Sequence, residues 1–557
     1  MPVFRALVVD NDEWVRNNAL EAADPENGLE ILSAASKDEA TKVIAGNFLN
    51  VAVVDLELRK SPKALGEGRT ILRGLKQSRP SCRRLLLTKY ATVFPSNVFE
   101  TLRPDGPTVH GAIDKEELGN YFRRYVSSLA EAWHRAPVEI SNLDEVHTLL
   151  EEKELRGGLL DSVPVSVTLE ELEFVLASLF GQRYREIEND DPDPDDIEKI
   201  SLAPFTGGKS RSIVLHGRPV NRLGEEGLLC VVKIGPRKEA EEELRRYEQY
   251  VRFRMSLRQR VELLGSRLGD TLGAIAYSFA GEDPTDVGDL QTLLDEGSSR
   301  AFAHFEEIFP ASTDESLRSR GEDLGEFFSH AYKLKPRDVR ERVKEFADDQ
   351  AEAHGWKHRQ DELRMDGGKL VLPADGSIGA GLLHMGYDSS VVHGDLNASN
   401  VIIGDDERSI LIDYRHTARG PRALDYASMH ASIRLSAPAK QRPLERVPRD
   451  EVLEYRLWEH DWTSGEEWWP QQAPEPAPYW LSAAAKLMFL AADRLPDLSR
   501  AEHAATCWLY GLRVFRVRDL GPDARLRILI WMSALQRILA DERDGSVPKQ
   551  EEAEAAQ

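Results

Sequence analysis

Cysteine is scarce. Cys82, Cys230 and Cys507 are the only three in 557 residues, far apart and without metal-ligand spacing. That argues against a disulfide-stapled secreted scaffold or a thiolate zinc site, and suits a reducing cytoplasm. Positive charge is also short: 72 Lys and Arg stand against 95 Asp and Glu, a formal net charge of −23. Nucleic acid and anionic membranes both need a basic footprint, so neither is expected as the main partner. Long apolar runs are missing too. The longest, around Trp480 to Ala492, is broken by Lys486 and is too short to span a bilayer. The start of the chain lacks a signal-peptide pattern, since Met1-Pro2-Val3-Phe4-Arg5 leads directly into a strand pattern. Hydrophobic residues make up 41%, ample for packed cores, and the length calls for more than one domain.

Against that background one stretch carries chemistry: His393-Gly394-Asp395-Leu396-Asn397-Ala398-Ser399-Asn400, followed by Leu411-Ile412-Asp413. Val391-Val392 reads as a short strand leading in. Val401-Ile402-Ile403 and Ile410-Leu411-Ile412 read as a hairpin that brings Asn400 and Asp413 side by side at its open end. One carboxylate, Asp395, can orient or deprotonate a hydroxyl, while Asn400 and Asp413 can hold Mg²⁺ on the phosphates of ATP. The stretch resembles the catalytic loop of kinase-fold phosphotransferases, and the aminoglycoside phosphotransferase and choline kinase group more than protein kinases. Gly394 stands where protein kinases carry Arg, and Tyr414-Arg415 follows the metal Asp in place of Phe-Gly. The resemblance implies an α+β bilobal protein-kinase-like domain with an ATP-binding lobe at 200–283 and a catalytic lobe at 284–541.

The other parts of an ATP site are sought upstream. Gly207, Gly208 and Ser210 lie in Phe205-Thr206-Gly207-Gly208-Lys209-Ser210-Arg211-Ser212, where glycines let backbone N–H groups approach phosphates. Ala203 to Ser210 also fits a relaxed Walker A pattern, but a P-loop must open a helix and here Ile213-Val214-Leu215 follows, then a polar turn at His216. Lys233 sits in the apolar strand 228–234 and needs a partner. Glu243 on the next helix is chosen, with Glu239 as the alternative. Residues 272–277 read as the strand to the hinge.

Residues 4–133 alternate strand and helix, with strands at 4–9, 29–34, 50–54, 84–87 and 109–113. This predicts an α/β, doubly wound sheet of five parallel strands. Function gathers at the carboxyl ends of such strands, where Asp10, Asp12, Asp55, Thr88 and Lys115 fall. Three carboxylates together imply a Mg²⁺ site, and a Thr and a Lys beside it would bind phosphoryl oxygens. The segment resembles the receiver domain of bacterial response regulators. That implies Asp55 as phosphoacceptor, Asp10 and Asp12 as metal ligands, Thr88 and Lys115 as phosphate contacts, and a sensor histidine kinase as phosphodonor. Glu116 in place of the usual Pro, and Ala112 in place of the usual aromatic, depart from the family pattern.

Residues 134–199 read as a helical and acidic linker region. In it Thr168 and Glu171 form a capping box for a helix over 167–179, and 189–196 is an acidic Pro-rich loop. Residues 284–375 read as helical and charged. Asp425 is expected to cap a helix or hold the catalytic loop, a structural role in either case. Trp458, Trp462, Trp468, Trp469 and Trp480, beside Glu459, Asp461, Glu466 and Glu467, could form an acidic aromatic wall for a substrate. Core packing is the commoner use of such residues. Helices run to about Asp541 and a polar tail, 542–557, follows. Together these features point to a cytoplasmic two-component response regulator whose output is an ATP- and Mg²⁺-dependent phosphotransferase acting on a small or compact hydroxyl-bearing substrate. The alternative is a catalytically silent, kinase-like scaffold that binds a nucleotide or a partner, with the receiver as its input.

Overall fold

The computed structural model describes residues 3–56, 58, 67–88, 111–115, 122–135, 138–155, 167–181, 197–204, 212–256, 258–279, 288–309, 319–365, 368–373, 384–404, 406–436, 447–460, 478–517 and 520–545. The chain forms two compact units, Met1–Leu244 with Glu262–Pro284, and Arg245–Val261 with Thr285–Gln557.

The first unit opens with β1 (Phe4–Val9), α1 (Glu13–Leu20), β2 (Leu29–Ala34), α2 (Lys37–Gly46), β3 (Val51–Asp55), α3 (Glu67–Ser78), β4 (Arg83–Thr88), β5 (Gly111–Asp114) and α4 (Arg123–Arg135). The five strands are parallel in the order β2-β1-β3-β4-β5. Alternation along each strand builds two cores. Phe4, Ala6, Val8, Val51 and Val53 face Val15 of α1 and Phe122 and Val126 near α4. Leu7, Val9, Ala52 and Val54 face Ala40 of α2 and Ile71 and Leu75 of α3. This is the receiver fold. The third strand starts and ends one residue later than read, so that Asp55 is its last residue, and Thr88 is the last of β4. Val109 lies outside the described residues.

Next come β6 (Glu139–Ile140), α5 (Leu143–Leu155), α6 (Leu169–Phe180), β7 (Ile197–Ile200), β8 (Ala203–Pro204), β9 (Ile213–Gly217), β10 (Pro219–Asn221), β11 (Cys230–Pro236), α7 (Arg237–Arg246), β12 (Leu263–Leu268) and β13 (Leu272–Ser278). An antiparallel sheet runs β12-β13-β11-β9-β8, and β6 pairs with β7 beside β10. The segment read as a linker is therefore no free connection. Leu172, Val175 and Leu176 of α6 and Val146 and Leu150 of α5 share one core with Leu215, Val232 and Ala274 of the sheet, because the apolar stripe of α6 has to be buried somewhere. β9 continues through His216, which was read as a turn, and a strand here excludes the helix that a P-loop requires. The acidic run 189–196 lies outside the described residues.

The second unit contains β14 (Gly288–Asp289), α8 (Leu290–Glu296), α9 (Ala301–Ile308), β15 (Ser319–Asp323), α10 (Leu324–Tyr332), α11 (Pro336–His354), β16 (Lys357–Arg359), β17 (Glu362–Met365), β18 (Gly368–Val371), β19 (Gly386–Val392), β20 (Val401–Ile403), β21 (Ser409–Leu411) and β22 (Ala418–Pro421). Helices α12 (Leu424–Leu435), α13 (Val447–Glu459), α14 (Tyr479–Arg494), α15 (Arg500–Phe515) and α16 (Pro522–Gly545) complete it. The region read as wholly helical thus holds strands β14 to β18. Their charged residues hid a one-sided alternation, in which Leu363 and Leu370 are fully buried and their neighbours are not. Trp458 and Trp480, read as possible substrate contacts, are 0% and 2% exposed and belong to the helical core. Trp462, Trp468 and Trp469, with Asp461, Glu466 and Glu467, lie outside the described residues. Among the described residues no helix is long and apolar enough to cross a membrane, and all three cysteines are free and buried.

The receiver packs on the following core through the loop after α2, where the Phe48 ring meets Phe174 of α6 with centroids 5.2 Å apart. A double-mutant cycle of Phe48→Ala and Phe174→Ala, read by urea unfolding, should give a coupling of about 1 kcal/mol. Additive losses would contradict a shared core.

Candidate phosphotransfer site and receiver pocket

The loop after β19 is held from below by one acid. Asp425, in the first turn of α12, accepts the His393 N–H on Oδ2 and the Gly394 N–H on Oδ1, both at 2.8 Å. Burial pushes its carboxyl up, and His393 and the two amides work against that rise. Of the two expected roles, Asp425 therefore fills the loop-holding one. Gly394 has φ +82°, and a Cβ there would lie 2.3 Å from the His416 carbonyl oxygen. Both facts require glycine where a bulkier side chain was noted as missing. Tyr332 donates to the Gly394 carbonyl from the other side.

Asp395 emerges from this pinned turn with its side chain 23% exposed. Its Oδ1 accepts from the Tyr510 hydroxyl at 2.9 Å and lies 3.0 Å from Nη2 of Arg513. Both partners come from α15, three residues apart on one face. Arg513 is also stacked over the Tyr332 ring, 4.1 Å from its centroid. Burial raises the Asp395 carboxyl, but Arg513, His416 and the Tyr510 hydrogen bond outweigh it and hold it below the usual carboxylate range. His416 is pushed down to about 4, first by burial and then by Arg513, so it is neutral at pH 7. Arg513 and Tyr510 are functional-site residues that the motif did not reveal.

Asn400 donates its side-chain N–H to the Asp395 carbonyl at 2.8 Å, which turns its amide oxygen away from that contact. Its backbone carbonyl accepts the Ile412 N–H at 3.0 Å, and Val401 pairs with Leu411. The hairpin therefore brings Asn400 opposite Ile412, next to Asp413. Asp413 sits at φ +63°, a left-handed conformation uncommon outside glycine. Strain of that kind gathers at functional sites. His393 bonds the Ile412 carbonyl through Nε2 at 2.8 Å and so fastens the loop to the strand end before Asp413.

In the first unit, Lys233 Nζ meets Glu243 Oε2 of α7 at 2.7 Å, and Glu243 is 2% exposed. The Tyr277 hydroxyl donates to the other oxygen, Oε1, at 3.0 Å. The pair is as expected; Tyr277 is an addition. Gly207, Gly208 and Ser210 lie outside the described residues.

At the receiver strand ends, Lys115 Nζ lies 2.6 Å from Asp55 Oδ2 and 2.8 Å from Asp10 Oδ2. Burial pushes Asp10 up despite this lysine. Burial alone would lower Lys115, and its hydrogen bonds to Asp10 and Asp55 raise it overall. Asp12 donates its backbone N–H to Asp10 Oδ1 at 2.8 Å, and its own Oδ1 accepts the Trp14 N–H at 3.0 Å and caps α1. Among the described residues no three His, Cys, Asp or Glu side chains form a metal-binding group. Asp10 and Asp55 nevertheless supply hard carboxylate oxygens at adjacent strand ends, a donor set that fits Mg²⁺. The Thr88 side chain lies outside what is described.

Gly394→Ala should destabilise the second unit by at least about 2 kcal/mol, from the left-handed backbone and the clash with His416. Urea unfolding followed by tryptophan fluorescence measures this, and an unchanged midpoint would refute the account of the turn.

The model of the phosphotransferase enzyme family matches residues 230–468. No curated protein matches the chain. A CheY-like response regulator receiver domain protein from Methanospirillum hungatei JF-1 is 21% identical, over 23% of this chain and 95% of that one, with a TM-score of 0.18. A response regulator from Burkholderia pseudomallei, solved with a phosphorylated aspartic acid, is 22% identical over 27% of this chain and 86% of its own, TM-score 0.18. The aminoglycoside phosphotransferase APH(3'')-Id from Streptomyces rimosus is 16% identical over 56% of this chain and 92% of its own, TM-score 0.29. The chain joins a receiver fold to a kinase-like fold, and its residues 230–468 are similar to the phosphotransferase enzyme family.

Proposed function

We propose that the chain is a two-component response regulator whose output is an ATP- and Mg²⁺-dependent phosphotransferase acting on a hydroxyl. The observation that carries this reading is the setting of Asp395. Its turn is pinned by Asp425, and its Oδ1 is held by Tyr510 and Arg513. Oδ2 is then left to accept a hydrogen bond from an incoming hydroxyl. The acceptor oxygen attacks the γ-phosphorus, the bond from that phosphorus to the β,γ-bridging oxygen breaks, ADP leaves, and the acceptor proton passes to Asp395. Asn400 and Asp413 would hold Mg²⁺, which supplies neutralising charge at the β- and γ-phosphates. Lys233, fixed by Glu243, grips the α- and β-phosphates, and Gly207, Gly208 and Ser210 are assigned to the covering loop.

A compact acceptor is favoured by the short path from Asp413 to Asp425. One 3₁₀ turn at Tyr414–His416 and strand β22 occupy it, and a peptide-docking activation segment has no room there. In the receiver, an Asp55 oxygen would attack the phosphorus of a phosphoryl donor, such as a phosphohistidine of a sensor kinase, the bond from phosphorus to the donor atom would break, and the dephosphorylated donor would leave. Lys115 would contact the transferred oxygens, and Asp10, Asp12 and Asp55 would hold Mg²⁺, Asp12 through the oxygen that does not cap α1.

With labelled ATP and a panel of hydroxyl acceptors, the wild type should transfer label and Asp395→Asn should lower the rate about 10²- to 10⁴-fold. Equal rates would leave only the scaffold reading. Acetyl phosphate with Mg²⁺ should add one phosphoryl group to the wild type and none to Asp55→Asn, read by intact mass. An unmodified wild type would sink the receiver assignment.

A further inference from the structure

Among the described residues, the receiver meets the nucleotide lobe at the amino ends of its strands, through the turn that enters β4, whereas Asp10, Asp55 and Lys115 stand at the carboxyl ends. Asp270, in the β12–β13 turn, is 7% exposed. Its Oδ1 accepts from the Ser81 N–H at 3.0 Å and from the Ser81 hydroxyl, and its Oδ2 lies 3.4 Å from Nη1 of Arg79. Burial pushes the Asp270 carboxyl up to about 6 against these donors.

The socket is built rather than accidental. Arg79 is itself anchored on the Ile44 carbonyl at the end of α2, through Nη2 at 2.9 Å. Arg84, 4% exposed, donates to the Cys82 carbonyl at 2.9 Å and to the Pro80 carbonyl at 3.3 Å, which fixes the turn that presents Ser81.

The same β12–β13 turn is gripped from two more directions. Glu171 of α6, 1% exposed, accepts the Thr271 N–H at 2.6 Å and the Leu272 N–H at 3.0 Å. The capping-box glutamate is therefore used on this turn. The Thr271 carbonyl in turn accepts the N–H of Arg237, the first residue of α7, at 2.7 Å. Gly273 passes so close to α7 that a Cβ would lie 2.5 Å from Cβ of Ala240. Three residues on from Ala240 in α7 stands Glu243, on Lys233, and Tyr277 of β13 holds its other oxygen.

We propose that this junction is the receiver's output surface. Through Arg79 and Ser81 the receiver sets the Asp270–Thr271 turn, that turn sets the start of α7, and α7 sets whether Glu243 holds Lys233 for ATP. Arg79, Ser81 and Asp270 are positioning residues, and the receiver's partner is the nucleotide lobe of its own chain. The proposal rests on the phosphotransferase reading for its consequence at ATP, but the coupling itself can be read without turnover.

The test uses the full chain with Ser81→Ala, which removes one hydroxyl, and Asp270→Asn, which keeps the side chain's shape. Amide exchange over 237–246 is followed by mass spectrometry, with and without acetyl phosphate and Mg²⁺, and affinity for a fluorescent ATP analogue is measured in parallel. In the wild type, phosphorylation of Asp55 should change exchange in α7. In both variants Asp55 should still gain its phosphoryl group, the α7 response should be lost, and nucleotide affinity should fall about fivefold or more. An α7 that does not respond in the wild type, or responds equally in the variants, overturns the proposal. If neither wild type nor variants bind the nucleotide, the phosphotransferase reading fails while the exchange result still decides the coupling.

Discussion

A carboxylate taken out of water must be met by donors, or it costs several kcal/mol. That constraint arranges each part of this chain. Glu243 is met by Lys233 and Tyr277, Asp425 by two successive amides, Asp395 by Tyr510 and Arg513, and Asp55 and Asp10 by Lys115. In the helical core, Glu454 and Arg434 are 1% and 0% exposed and pair with each other, with Arg434 laid over the Trp531 ring. Replacing one member leaves the other charge buried alone, which costs more than the pair contributes. Acids in these places therefore fix their surroundings more firmly than apolar packing alone would, and every proposed chemical role falls on one of them or on a neighbour it orients.

What could be read from the sequence follows from which of these pairings are local. Asp395, Asn400 and Asp413 share one turn and one hairpin, so their spacing carried the geometry. Lys233 and Glu243 are ten residues apart across one strand–helix junction, and the apolar strand around Lys233 signalled that a partner was needed. Asp10, Asp55 and Lys115 were legible because parallel strands deliver their last residues to one edge. Arg513 and Tyr510 gave no signal, because they lie more than a hundred residues from Asp395 within a helix rich in buried apolar positions. Glu171 gave a misleading one: Thr168 does cap its helix, but the glutamate expected to reach back to the cap is taken by a turn a hundred residues away. The tryptophans misled in the same manner. Composition shows that aromatics are clustered, not which way they face, and Trp458 and Trp480 face inward.

The two edges of the receiver sheet divide its tasks. On the proposed function the carboxyl edge has to admit a phosphoryl donor, and among the described residues one lysine there serves both Asp10 and Asp55. The amino edge is closed, with Arg79, Arg84 and Asp270 all nearly excluded from solvent and all paired. A close-packed sheet transmits displacement because its interior has no slack to absorb it. Strand β4 runs from the closed edge to the open one, with Ser81 two residues before its first residue and Thr88 as its last. On the proposed coupling, a phosphoryl group that draws on residues at one end of β4 would pull on a strand whose other end is fastened to the β12–β13 turn. Ala112 and Glu116 depart from the family pattern, and a coupling through the β12–β13 turn, as proposed, would draw on neither of them.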